Sequence, residues 1–459
     1  MYDLIVIGGG PAGYVGAIKA AQDGLVTALF EMDALGGTCL NRGCIPTKAL
    51  LHYAELYASI GRFSEYGITV ENASFDFSKM HEKKAQTVAS LRSGIEQLLK
   101  ANKVTVIRGR AELKDAHTVC CNGEVYEAKN ILLASGSTPA IPPIEGAEYA
   151  LTSDDLLERS DRFYPRLAIV GGGVIGVEMA QVYRALGSEV SVFEAMDRLL
   201  PMMDRELSQS LNMVLKKRGV LIHPAARVQR IVKNGDFLTL FYSEKGRDES
   251  IEADGVLICT GRRPNTAGLF ADGLNIEFNG RAVAVDSKYQ TSIRNVYAVG
   301  DINGIMPLAH AAEAQALAAV AYMQGKAPAI DPALVPSCVY TDPEIASVGM
   351  TADEAKAAQI PIRSGKYVMG SNAKTLIEGR ERSFIKLIFH ADSDKLLGAQ
   401  LCCAHATDLI SELTLAIANG LTSAELLKGL RPHPTFVEGI TEAIEASHGQ
   451  NIHSMPTRR

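Results

Sequence analysis

Cys39 and Cys44 stand in the segment GGTCLNRGCIPTK, a short way downstream of a Gly-x-Gly-x-x-Gly loop of the kind that holds dinucleotides. Two thiols with four residues between them, beside such a loop, point to a redox-active disulfide rather than a structural one. A helix turns about 100° per residue, so positions i and i+5 diverge by roughly 140°. A bridge needs Cα atoms within about 7 Å, which predicts a distorted first helical turn. Gly43 permits irregular backbone and Pro46 suits a helix start. Closing so short a loop adds little stability, so the pair is read as chemistry. No CxxC pair or nearby His cluster completes a zinc site, and no metal centre is expected.

The elements that must position this pair are repeated. LIVIGGGPAG at the N-terminus recurs as LAIVGGGVIG at Leu167 to Gly176. Each is an apolar, Ile- and Val-rich run ending in the glycine loop: Gly8, Gly10 and Gly13, then Gly171, Gly173 and Gly176. Glu31 and Glu194 each follow the last glycine of their loop by eighteen positions (13 to 31, 176 to 194). Two strand–loop–helix copies with an acid at that distance predict two dinucleotide sites. The glycines allow a tight turn and close approach to a pyrophosphate, the helix N-terminus supplies free N–H groups, and the acid accepts from ribose hydroxyls. A carboxylate at Glu194 also repels a 2′-phosphate, with Arg198 the one base close by, so NAD is expected over NADP. ILLASGSTP (131–139) and VLICTGRRPN (256–265) echo each other as the closing strands of the two units.

The remaining segments divide the chain further. Residues 59–100 read as helix-rich, 104–125 as strands and turns, and NVYAVGD (295–301) as a short strand before the helical AHAAEAQALAAVAYM. The Pro-rich APAIDPALVPS marks a boundary near Pro336, after which strands and helices mix as in a separate α+β unit. A length of 459 residues fits roughly three domains. A net charge of −6 gives no support to nucleic-acid binding, and no apolar run reaches membrane-span length. The first residues already read as a strand, without a basic leader, and the eight cysteines include two adjacent pairs rather than a secreted framework. A reducing cytoplasm is the expected location.

The double glycine loop, GGTCLNRGCIPTK, VGD followed by PLAH, and the late HPTFVE together resemble the pyridine nucleotide–disulfide oxidoreductases, over essentially the whole chain. The resemblance is strongest to the branch that oxidises protein-bound dihydrolipoamide to lipoamide and reduces NAD⁺. It implies an α/β fold of two Rossmann-like dinucleotide-binding domains, for FAD and NAD, with a C-terminal α+β dimerisation domain. The implied order is an FAD domain at 1–145, an NAD domain at 146–265, a central segment at 266–335 completing the FAD domain, and an interface domain at 336–459.

By the same resemblance Gly8, Gly10, Gly13, Glu31, Gly37, Thr38, Ala111, Ser135, Gly136, Ser137 and Asp301 would serve FAD. Lys48 would approach the flavin ring, with Leu308, Ala309 and His310 opening a helix against it. Gly171, Gly173, Gly176, Glu178, Glu194, Val228 and Gly261 would serve NAD. Cys39 would exchange with substrate and Cys44 face the flavin. His433 would be the general base and Glu438 its orienting partner, since a carboxylate fixes the tautomer and raises basicity. The family places this His in the opposite subunit's site, which implies a homodimer. The implied partners are lipoyl domains of 2-oxoacid dehydrogenase or glycine cleavage complexes, with no nucleic acid and no membrane insertion.

Three features depart from the family pattern. Arg431 occupies the place of a frequent second His, and Ala-Ser-Gly stands near the flavin where Ala-Thr-Gly is more usual. The Cys402–Cys403 pair is similar to the vicinal cysteines of mercuric reductase, but those lie at the extreme C-terminus, whereas this chain ends HSMPTRR. Cys120, Cys121, Cys402 and Cys403 are therefore expected as core strand residues. The rival readings are a glutathione- or mercury-type reductase and a non-catalytic flavoprotein scaffold, which would need neither the dithiol nor His433–Glu438.

Overall fold

The computed structural model describes residues 1–159, 162–380 and 383–455; the last four residues of the HSMPTRR terminus lie outside them. Three sheets organise the chain. In the first, Tyr2–Ile7 lies centrally, parallel to Thr27–Glu31 on one side and to the end of Glu124–Leu133 on the other. Thr105–Arg108 and Val296–Ala298 extend it in parallel, while Ala111–Leu113 and Thr118–Cys121 continue it antiparallel from the first half of Glu124–Leu133. In the second sheet Arg166–Val170 is central between Glu189–Glu194 and Gly255–Ile258, flanked by Leu221–Pro224 and Leu151–Thr152. Both central strands are followed directly by glycine loops and helices, Pro11–Gln22 and Val174–Ala185. Ligands of such sheets bind outside the carboxyl ends of the strands, where these loops sit.

The apolar strands are buried on both faces, as expected of parallel strands covered by helices: Leu4, Ile5 and Val6 have no exposed surface. A three-stranded antiparallel meander, Ala226–Asn234, Phe237–Glu244 and Arg247–Ala253, covers the second sheet, a feature sequence reading did not resolve. The third sheet is antiparallel, in the order Ser337–Val339, Glu344–Gly349, Leu396–Cys403, Phe384–His390 and Ile362–Val368.

The expected distorted first turn takes a different form. The dithiol segment is two helices, Gly37–Arg42 and Cys44–Ile60, broken at Gly43. A Cβ on Gly43 would lie 2.9 Å from the Thr38 carbonyl oxygen and 3.3 Å from Cys39 Cα, so glycine is needed where the second helix starts against the first. The longer helix is held on both sides. Leu50, Leu51 and Ala54 share one core with Val177 and Tyr183 of the second unit and with Val339, Phe384 and Cys402 of the third sheet. Fully burying a leucine is worth about 2 kcal/mol, so the dithiol rides on one of the best-anchored helices of the chain. Among the described residues no helix is long and apolar enough to cross a membrane.

Candidate active site

Cys39 lies on the short helix and Cys44 is the first residue of the next, and both are free thiols. The two thiols share a hydrogen bond that raises Cys39 and lowers Cys44. That bond, with burial and the neighbouring Cys44 charge, pushes Cys39 well above an ordinary thiol. Cys44 is pulled below it, first by the Cys39 hydrogen bond, against burial, and then by the Lys48 charge. Its place at a helix N-terminus favours the thiolate in the same sense. The surroundings therefore favour the thiolate at Cys44 over one at Cys39.

Lys48, one turn beyond Cys44, lies with its Nζ 2.8 and 3.0 Å from the two carboxylate oxygens of Glu178, which is 2 % exposed on the helix of the second glycine loop. The Tyr340 ring lies 4.4 Å from the same ammonium, and the Tyr340 N–H donates to Glu178 at 2.9 Å. The fold thus brings Lys48 and Glu178 together. Tyr340 was not anticipated, because its segment carries no motif that ties it to residues so distant in the chain.

The two glycine loops share one construction. A Cβ on Gly8 would meet the Ala134 carbonyl oxygen at 2.3 Å, and one on Gly171 the Cys259 carbonyl oxygen at 2.6 Å. Gly13 and Gly176 would each strike the carbonyl of their loop's first glycine, at 1.7 and 2.0 Å. The middle glycines differ: nothing lies within 4 Å of a Cβ on Gly173, and Gly10 faces only Gly37 Cα at 3.8 Å. Both are helix N-caps without a side-chain cap, so first-turn N–H groups and open space coincide. That cradle fits the pyrophosphate of a dinucleotide at both sites.

Glu31 and Glu194 also act within the protein. Glu31 accepts from Gly9 N–H at 2.6 Å and from Asp33 N–H at 2.7 Å. Glu194 accepts from Gly172 N–H at 2.6 Å and Met196 N–H at 2.7 Å. Each acid therefore anchors its own glycine loop, a role the spacing alone did not reveal. Arg198, four positions after Glu194, is engaged by Asp197 at 3.2 Å and by the Pro201 carbonyl at 2.8 Å.

Around the first loop, Gly37 takes a positive φ of 56° and lies against Gly10. Ser137 donates to Asp301 in a short hydrogen bond and accepts from Arg262 Nε at 2.8 Å. Ser135 Oγ donates to the Asn265 carbonyl at 2.7 Å, and Asn265 N–H donates to the Gly136 carbonyl at 2.9 Å. The two echoing segments therefore continue into one ribbon, Ser137–Pro139 paired with Arg262–Pro264, instead of ending in separate units. Arg262 is a site residue that sequence reading missed; its signal was the Arg-Arg-Pro-Asn run directly after a strand-end glycine.

The other expected residues fall into place unevenly. Leu308 is the N-cap of Ala309–Met323, and His310 Nε2 engages the Pro336 carbonyl at 2.7 Å, so its ring is committed to the chain. Ala111 and Val228 have buried side chains, leaving their backbone for any ligand contact. Gly261 sits at a φ of 135° in open space. Cys121, Cys402 and Cys403 are core residues, but Cys120 is only half-buried, because alternation turns it to the open face of its strand. Arg431 is bound by Glu412 at 2.5 Å and Thr441 at 2.9 Å.

His433 Nδ1 lies 2.9 Å from Glu438 Oε1, and Glu438 Oε2 accepts from Thr435 N–H at 2.8 Å. Burial opposes the Glu438 carboxylate, but the Thr435 N–H and the His433 ring outweigh it and hold its pKa below the usual value. The His433 side chain is 71 % exposed. Among the described residues no hydrogen bond or ion pair joins it to either cysteine.

Comparison with known proteins agrees with this geometry. Residues 2–316 match the pyridine nucleotide-disulphide oxidoreductase model, and residues 335–444 match that family's dimerisation domain, which supports a homodimer. A dihydrolipoyl dehydrogenase of Bacillus subtilis is 37% identical over 98% of this chain and 97% of its own length. One from Thermus scotoductus is 38% identical over 98% of both. Among solved structures, LpdA from Mycobacterium tuberculosis superposes with a TM-score of 0.89 at 28% identity, covering 96% of this chain and 99% of that one. The HOCl-induced flavoprotein disulfide reductase RclA of Escherichia coli gives 0.86 at 27%, covering 97% and 99%.

Proposed function

The chain belongs to the pyridine nucleotide-disulphide oxidoreductase family, and on that footing we propose that it oxidises protein-bound dihydrolipoamide to lipoamide with NAD⁺ as the final acceptor. It is an oxidoreductase of FAD and NAD. The observation that carries the reading is the Cys39–Cys44 dithiol itself, with Cys44 at a helix N-terminus one turn from Lys48 and its ion pair with Glu178. We assign residues 1–145 and 266–335 to the FAD unit, 146–265 to the NAD unit and 336–459 to the interface unit.

The chain's own steps follow from thiol chemistry. With Cys39–Cys44 oxidised, His433 takes a proton from one substrate thiol, and Glu438 holds the imidazole in the tautomer that can accept it at Nε2. The thiolate attacks Cys39 Sγ; the Cys39–Cys44 bond breaks and Cys44 leaves as the thiolate, the better leaving group because its pKa is the lower. The second substrate thiol loses its proton as its sulfur attacks the substrate sulfur of the mixed disulfide, forming lipoamide and releasing Cys39, which takes up that proton. Two electrons have then passed to the dithiol. FAD and NAD⁺ supply the hydride chemistry that carries them onward. Gly8, Gly10, Gly13 and Asp301 hold the first cofactor; Gly171, Gly173, Gly176 and Glu194 hold the second. The cysteines form no secreted disulfide framework, and we place the protein in the cytoplasm with lipoyl domains as its partners.

Turnover of lipoamide against glutathione disulfide, each with NADH and with NADPH, tests this. Lipoamide with NADH should be the efficient pair. Preference for glutathione disulfide, or equal efficiency with NADPH, would move the protein to the glutathione-type branch.

A further inference from the structure

Arg262 leaves the second nucleotide unit four positions after the strand Gly255–Ile258 and reaches the first. Its Nε donates to Ser137 Oγ at 2.8 Å, and a terminal nitrogen donates to the Ser137 carbonyl at 2.7 Å and reaches Thr38 Oγ1 at 3.4 Å. Carboxylate oxygens of Asp154 and Asp301 each lie 3.9 Å from the guanidinium. The Arg262 side chain is 17 % exposed and Ser137 5 %. A serine hydroxyl has a single proton, and Ser137 gives it to Asp301. The bond from Arg262 therefore lands on a Ser137 lone pair, and donors and acceptors run one way, from Arg262 through Ser137 to Asp301.

We propose that Arg262 is a positioning residue of the FAD site, which aims the Asp301 carboxylate through the Ser137 hydroxyl and pins Thr38, the residue before Cys39, to the same point. The proposal rests on the reading that this site takes FAD. It also explains why the residue is arginine. Nε and a terminal nitrogen serve two different oxygens of one serine, a fork that a lysine ammonium on a single flexible stem does not reproduce. Two carboxylates, of Asp154 and Asp301, flank the one guanidinium, each at 3.9 Å.

The test measures FAD dissociation from the full-length protein, by fluorescence of released flavin, for Arg262→Gln, Arg262→Lys, Ser137→Ala and the double variants, with apoprotein melting temperature alongside. Arg262→Gln should weaken FAD retention by roughly 10- to 100-fold, the range for losing a charge-assisted hydrogen bond. Arg262→Lys should recover only part of that. Because the relay to Asp301 runs through the Ser137 hydroxyl, either Arg262 substitution should cost clearly less retention on the Ser137→Ala background than on the parent's, the remainder coming from the Ser137 carbonyl and Thr38. Additive losses, or single variants that hold FAD like the parent at unchanged melting temperature, would overturn the proposal and leave the enzyme assignment standing. A parent protein that binds no FAD would overturn both. Should Arg262→Gln fail to fold, the Arg262→Lys and Ser137→Ala cycle decides the same point.

Discussion

Cys39 and Cys44 were legible as chemistry from their types and spacing, but their division of labour rests on surroundings no spacing encodes. Cys44 begins a helix and has Lys48 one turn away; the hydrogen bond it shares with Cys39 and the Lys48 charge hold its thiol below the ordinary range, while the same bond and burial push Cys39 above it. Cys44→Ser should therefore keep bound FAD yet lose the long-wavelength absorbance of a thiolate beside flavin, together with lipoamide turnover. Full turnover by that variant would end the dithiol mechanism; dye reduction by NADH is expected to persist. For His433 the predicted loss is specific to the other half of the reaction. His433→Gln should lower lipoamide turnover by about 10²–10⁴-fold, the range for a positioned acid–base group. Reduction of bound flavin by NADH, followed by stopped flow, should barely change, and a loss confined to that step would show the residue to be misassigned.

At the scale of elements, what repeats was readable and what pairs across the repeat was not. The two strand–glycine–helix units announce themselves because the first and last glycine of each loop answer to a nearby carbonyl, as Gly13 does to Gly8. The ribbon joining Ser137–Pro139 to Arg262–Pro264 has no local period and pairs segments 125 positions apart in sequence, so only the folded chain reveals it. The helix Phe77–Ala101 holds a second hidden feature. His81, 2 % exposed, shares its Nδ1 with Lys84 Nζ at 3.1 Å, and Lys84 also donates to the Leu157 carbonyl. Burial, with help from the Lys84 charge, pushes His81 down to about 4 from 6.5. Between those values the unfolded chain binds a proton that the folded chain refuses, so this residue's contribution to stability falls as pH drops from 6.5 to about 4. His81→Gln retains an acceptor for Lys84 but does not titrate. Its melting temperature should therefore fall less than the parent's between pH 7.5 and 5, and an equal fall would assign the acid lability elsewhere.

At the scale of the whole molecule, the units that carry the dithiol and His433 pack on one another, yet among the described residues no hydrogen bond or ion pair joins the two groups. The dithiol is anchored between the two nucleotide units and the third sheet, whereas His433 stands 71 % exposed on the unit matched as a dimerisation domain. A base so exposed is poorly placed to hold its geometry by itself, and a second subunit would cover it and bring it a dithiol. This can be tested by mixing two inactive proteins, Cys44→Ser and His433→Gln, and letting their subunits exchange. Each mixed dimer would hold one composite site with the intact dithiol of the His433→Gln chain and the intact His433 of the Cys44→Ser chain. Random pairing makes about half the dimers mixed, with one working site in two, so lipoamide turnover should recover to about a quarter of the parent's. If each chain instead used its own His433, mixed dimers would be as inactive as their parents. The fraction of mixed dimers, measured by mass after differential tagging, separates that outcome from a failure to exchange.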